Sequence, residues 1–190
     1  MNKFIINQTL HGYNQGHTLL ESSILIRSDD KRNLMIMSDM SGSSMQQGFD
    51  EYITGYPLKE MNMYALARTW NAPEMKRPGC VWTHTLLINF SDLIKLNNYS
   101  NFIGLFKRPT ENIDYSYYRK PFELIVEEKV ICSSSFLNDN INPDLIKEII
   151  SQLYKRNNSS VLIQSQNSLK FENLILSIWI QQWPRLKRNF

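Results

Sequence analysis

Three histidines and two cysteines are the residues of this chain whose types suit nucleophilic or metal chemistry. His11 and His17 lie together in LHGYNQGHTLL, and His84 sits in Thr83-His84-Thr85-Leu86-Leu87, four positions after Cys80. Three converging imidazoles hold zinc and leave one coordination position open for water. A cysteine touching a histidine becomes a nucleophile. The spacing alone enforces neither. H-x5-H is far weaker than H-E-x-x-H as a metal signature, and no acidic residue lies close by to orient either ring. Cys80 and His84, four positions apart on one strand, stand ~13 Å apart, so Cys80 reaches a base only if His11 or His17 is brought to it. The sequence reading assigns no catalytic residue, no metal and no cofactor. It keeps Cys80, His84, His11 and His17 as the candidates of a rival reading, a Cys/His hydrolase or a histidine-rich metal-dependent enzyme, and leans against an enzyme.

These residues must be positioned by strands. With Asn14-Gln15-Gly16 as a three-residue hairpin loop and Gly16 in the left-handed position, Tyr13 faces His17, His11 faces Leu19, and all four share one face. A two-residue turn puts the two imidazoles on opposite faces. In RPGCVWTHTLLI, alternation places Cys80, Trp82, His84, Leu86 and Ile88 on one face, with Val81, Thr83, Thr85 and Leu87 on the other.

The whole chain changes character near residue 110. Before it, short segments rich in Thr, Tyr, Trp and Val are punctuated by Gly, Pro, Asn and Asp, as strands and hairpins are. After it, helices dominate. One runs from about Pro143 to Arg156, capped by Asn142, with Leu145, Ile146, Ile149, Ile150, Leu153 and Tyr154 as a broad apolar stripe. A second runs from Ser168 to just before Pro184, apolar on several sides and expected to be buried. Ser160 to Gln164 reads as a short buried strand between them, and Pro121 to Cys132 as a further strand. Residues 91–118 read as helical or irregular, and Asp39 to Ser44 as a turn without phosphate-loop spacing. The expected fold is α+β: a mainly antiparallel sheet from the N-terminal half, with helices from the C-terminal half packed on it, in a single domain over residues 1–190.

Composition narrows the function classes. The chain has 190 residues, 42% hydrophobic and 12% aromatic, enough to build a core. No apolar run approaches the ~20 residues that cross a bilayer. MNKFIINQTLHGY carries no signal-peptide pattern, so a cytoplasmic location is expected. A net charge of +3 does not by itself indicate a nucleic-acid binder. Arg185, Lys187 and Arg188 crowd the end of the chain and are the candidates for phosphate contact, in a nucleic-acid-sensing alternative that the small net charge disfavours. Tyr56, Trp70, Arg77 and Trp82 are the candidate partner contacts, since Trp, Tyr and Arg dominate interface energetics.

Four stretches in order, HGYNQGHTLLESS, LMIMSDMSG, YITGYPL with YALARTWNAPEMKRPGCVWTHTLLI, and the closing ILSIWIQQWPRLKRNF, resemble the N-terminal domain of bacterial GTPase-associated protein 1 along essentially the whole chain. Ala67 to Ile88 is the most specific part. The resemblance implies a non-catalytic interaction or adaptor module of a GTPase-centred bacterial conflict system, plausibly antiviral. Its partners would be the GTPase or other components of the same system, and it would be the opening module of a longer polypeptide. It carries over no catalytic residue. It leaves open whether Gly12, His17, Trp70, Arg77, Trp82 and His84 preserve the fold or touch a partner.

Overall fold

A strand of twelve residues, β1 (Asn2–Tyr13), organises the sheet by finding partners along its whole length. In the computed structural model, which describes residues 2–39, 51–75, 77–96, 98–110, 114–126, 143–155, 160–165 and 168–190, β1 pairs with β2 (His17–Ser22) at one end. It pairs with β5 (Val81–Asn89) through the middle, and with β6 (Phe122–Val126) at the other end. Beyond β5 lie β4 (Met63–Asn71) and the edge strand β3 (Glu51–Leu58). Every one of these pairings is antiparallel. The expected α+β class therefore holds.

The hairpin closes as the sequence suggests, with Tyr13 opposite His17 and His11 opposite Leu19. One detail differs: Gln15, at φ 57°, takes the left-handed conformation expected of Gly16. Gly16 instead adopts φ 141°, a wider angle open to glycine because it has no Cβ.

Both faces of the sheet are covered, which is why eight of the nine β5 residues are buried. One face packs Phe4, Ile6, Tyr64, Leu66, Leu86 and Ile88 against α2 (Phe90–Leu93), α3 (Ser100–Ile103) and α5 (Leu169–Gln181). Trp179 of α5 stacks on Tyr64 with ring centroids 5.2 Å apart. Arg68 of β4 pairs with Glu172 of α5 and Glu51 of β3, tying helix to sheet. The other face packs Tyr56, Leu58, Met63, Ala65 and Leu87 against Leu34 of α1 (Ser28–Ser38). The Asp30 carboxylate of α1 accepts the Met61 N–H at 2.7 Å, which fixes that helix over the β3–β4 turn.

The second half differs from expectation in particular places. The helix expected to start near Pro143 is α4 (Pro143–Leu153), and its proposed cap Asn142 lies outside the described residues. Only the Leu145, Ile146 and Ile149 side of its stripe packs on α5; Ile150, Leu153 and Tyr154 remain exposed. Residues 160–165 form no strand. Val161 and Ile163 do turn inward, but they pack against α4 and α5, and the segment pairs with no strand among the described residues. The helix–strand–helix crossover is thus replaced by two directly packed helices, with residues 160–165 packed against them and no ladder. The strand after Pro121 is seen as β6, with residues 127–132 outside the described part. Met40 to Ser44 of the expected turn also lie outside it. Residues 91–118 hold two single-turn helices and the start of a 3-10 helix at Tyr115–Arg119.

Candidate functional site

His84 is built into the fold. Its Cα partner on β1 is Leu10, so its side chain shares the face of Leu10 and Gln8. There it is completely buried among Phe106, Tyr117, Tyr118 and Phe122. The Lys107 N–H donates to Nδ1 at 3.1 Å, so the ring proton resides on Nε2, which donates to Gln8 Oε1 at 2.7 Å. Gln8 Nε2 in turn donates to the Tyr117 and Lys120 carbonyls at 2.8 and 2.6 Å. This chain of bonds ties Lys107, Tyr117 and Lys120 to the sheet. Burial lowers the His84 pKa to about 3, so the ring is neutral at any ordinary pH.

His11 and His17 lie across the sheet from it. The Cα partner of His11 is Thr83, one step along from His84, and one step reverses the face. The two rings stack with centroids 6.0 Å apart. Ser38 Oγ already donates to the Met35 carbonyl at 3.0 Å, so His17 Nε2 donates to Ser38 Oγ at 2.8 Å. His11 is fully buried and neither of its ring nitrogens has a partner. Burial, then the neighbouring His17 and Lys31, lower its pKa to about 3. His17 is lowered too, chiefly by burial and against the pull of Asp39.

The three imidazoles therefore do not converge. Among the described residues no group of three His, Cys, Asp or Glu side chains is placed to hold a metal ion. Cys80 packs with Leu10, Trp82 and Tyr118, on the face away from His11 and His17. Partial burial pushes its thiol up, although Arg77 pulls the other way. A thiol in that state is a poor nucleophile.

The four candidate contact residues separate. Tyr56 is buried beneath α1, and Trp82 is buried with its ring across Gly12, where any Cβ would collide with it. Both are held in packing. Trp70 is half-buried opposite Trp82, and Arg77 is exposed on the connection between β4 and β5. That connection is braced from within. The Ala72 N–H donates to the Cys80 carbonyl at 3.0 Å, Trp82 Nε1 donates to Glu74 at 2.8 Å, and Arg108 holds both Glu74 carboxylate oxygens at 2.7 and 2.8 Å.

The basic cluster at the end is also divided. Lys187 is turned inward, its Nζ donating to the Leu93 and Leu96 carbonyls at 3.4 and 3.2 Å, and burial lowers its pKa to about 8. Arg188 lies over the Phe90 ring at 4.9 Å. Both sit on or just after α6 (Pro184–Lys187) as part of its docking, which leaves Arg185 as the exposed member of the three. Trp183, outside the candidate residues, is 72% exposed beside Gln182, itself bonded to Tyr154. A tryptophan immediately before the proline that ends a buried helix is the available signal.

The architecture defines an α+β domain on an antiparallel sheet covered on both faces. A family model described as GTPase-associated protein 1, N-terminal domain type 1, matches residues 5–106, more than half of the chain, and the chain belongs to that family. The match takes in β1 from Ile5, β2, α1, β3 to β5 and the two short helices, and it ends before β6 and the closing helices. No curated protein and no solved structure matches the chain. Among the described residues no helix is long and apolar enough to cross a membrane.

Proposed function

We propose that this chain is a non-catalytic interaction module that docks onto a GTPase, within a cytoplasmic bacterial conflict system directed against phage, and forms the N-terminal module of a longer polypeptide. The family description supports association with a GTPase. The observation that carries the non-catalytic reading is the register of β1 on β5, which sets His84 against one face of the sheet and His11 with His17 against the other. A reaction centre needs its groups within hydrogen-bond reach of one another.

The contact surface in this proposal is the Ala72–Cys80 connection with exposed Arg77, flanked by half-buried Trp70. Loops held by a rigid scaffold are the usual carriers of recognition, and a connection already fixed by Glu74, Arg108 and Trp82 loses little entropy on docking. The test is isothermal titration of the chain against the GTPase encoded beside it, loaded with GDP and with a non-hydrolysable GTP analogue. The expected result is a complex in at least one nucleotide state, weakened about tenfold or more by Trp70→Ala or Arg77→Ala. No complex in either state, with the remainder of the polypeptide also present, overturns the proposal.

A further inference from the structure

Trp183 is held in solvent by bonds on either side of it. Just before it, Gln182 turns inward, donating from Nε2 to the Ile178 carbonyl at 2.8 Å and accepting from the Tyr154 hydroxyl at 2.9 Å. Just after it, Lys187 is buried with its Nζ on the Leu93 and Leu96 carbonyls, and its own carbonyl accepts from Trp179 Nε1 at 3.0 Å. Those contacts fix α6 with Trp183 outward and Leu186, about one turn further on, exposed on the same side. The Tyr154 bond brings the end of α4 to the same place. There Ile150, Leu153 and Tyr154 are exposed, with Ile150 and Tyr154 neighbours at i, i+4 spacing. Five large side chains with apolar bodies thus lie together at the junction of α4, α5 and α6, and a patch of this kind marks a contact surface.

The charge around this patch is one-sided. From Ile149 to Phe190 the sequence carries Lys155, Arg156, Lys170, Arg185, Lys187 and Arg188 against a single acid, Glu172. That acid is engaged inside, paired with Arg68 of β4. Lys155 follows Tyr154, Arg185 lies between Trp183 and Leu186, and both are exposed. The acids of α4 lie elsewhere. Glu148, two positions before Ile150, is turned to the opposite flank of the helix, and Asp144, in the first turn, pairs with Lys147 at 3.3 Å. A second copy of the chain would bring like charges together here, whereas an anionic surface complements them.

Tryptophan and tyrosine carry a polar atom on an apolar body, and with aliphatic neighbours and flanking cations they match the headgroup level of a bilayer. Nucleic acid takes up aromatic rings and cations but offers no acyl chains to Ile150, Leu153 and Leu186. We propose that this face is a peripheral membrane contact. Trp183, Tyr154 and the three aliphatic side chains enter the headgroup boundary of an anionic bilayer, while Lys155 and Arg185 meet lipid phosphates. The face is separate from the docking connection around Arg77. β5 starts at Val81, beside that connection, and ends at Asn89, shortly before the carbonyls that hold Lys187. Its nine residues place the two ends ~26 Å apart, so a membrane and a GTPase need not compete for one surface.

The test is flotation of the whole chain with vesicles of phosphatidylcholine alone and of phosphatidylcholine with phosphatidylglycerol in roughly a two-to-one ratio, with a single-stranded oligonucleotide as a soluble polyanion. The expected result is flotation with the anionic vesicles only, weakened by salt, and quenching of tryptophan fluorescence by brominated acyl chains. Trp183→Phe should lose most of that quenching. Trp183→Ala, and separately Lys155→Glu with Arg185→Glu, should each lower the partition about tenfold or more, with Tm unchanged because all three side chains are exposed. No flotation with the anionic vesicles, flotation undiminished in those variants, or oligonucleotide binding that Trp183→Ala weakens equally overturns the proposal. So does a dimer of the free chain that Trp183→Ala dissociates.

Discussion

His84 and His11 miss each other by one residue: the Cα partner of His84 on β1 is Leu10, and that of His11 on β5 is Thr83. Because side chains alternate along a strand, this single step sends two buried imidazoles to opposite faces of one sheet. One is fully bonded and the other has no bond at all. The contrast separates their roles and gives opposite expectations for the same substitution.

His84→Leu leaves Gln8 Oε1 and the Lys107 N–H without their partner. At ~1–3 kcal/mol for each stranded buried group, the loss should be ~2–6 kcal/mol by urea unfolding. Amide exchange at Lys107 and across residues 115–120 should accelerate, because those bonds hold Lys107, Tyr117 and Lys120.

His11→Leu removes two buried polar atoms that make no bond. The free chain should gain ~1–3 kcal/mol, read as a rise in urea midpoint without a change in slope. A gain in stability at such a residue is the signature of a group kept for something other than the fold.

Both histidines have folded pKa values of about 3, below the 6.5 of the ordinary side chain. The unfolded chain therefore takes up protons first as pH falls. Their contribution is complete above pH 6.5 and is lost progressively from there toward 3. Each ring should add ~1.4 kcal/mol per pH unit to the slope of stability within that window. Unfolding of the parent and of His11→Leu between pH 6.5 and 5, before most carboxylates titrate, should show the parent falling more steeply by one such increment.

How far the sequence foretells this depends on what links the strands. The hairpin register of His11 and His17 is legible because three loop residues fix it. The register of β1 on β5 is not, since nearly seventy residues separate them and no turn sets it. The helix α1 escapes notice because its buried positions are Asp30, Leu34 and Ser38, only one of them apolar. Lys187 reads as a solvated end because its partners, the Leu93 and Leu96 carbonyls, lie far away in sequence. The Val161 and Ile163 alternation imitates a strand, yet helices satisfy the same inward side chains without any ladder.

Gly12 lies against the Trp82 ring, so Gly12→Ala must displace the indole. Overpacking of that kind should cost ~1–3 kcal/mol, with a blue or red shift in tryptophan fluorescence reporting the moved ring.

Cys80 tests the enzyme alternative. Its raised thiol pKa predicts labelling at neutral pH slower than that of a free cysteine, and labelling as fast as a free cysteine's would revive that alternative.

The central claim is that this domain acts through the braced connection beside Arg77. Amide-exchange mass spectrometry of the chain with and without its GTPase reads that surface directly. The account predicts slowed exchange confined to residues 70–80 and their immediate neighbours. Protection centred instead on Trp183 and α6, or none anywhere in either nucleotide state, would contradict it.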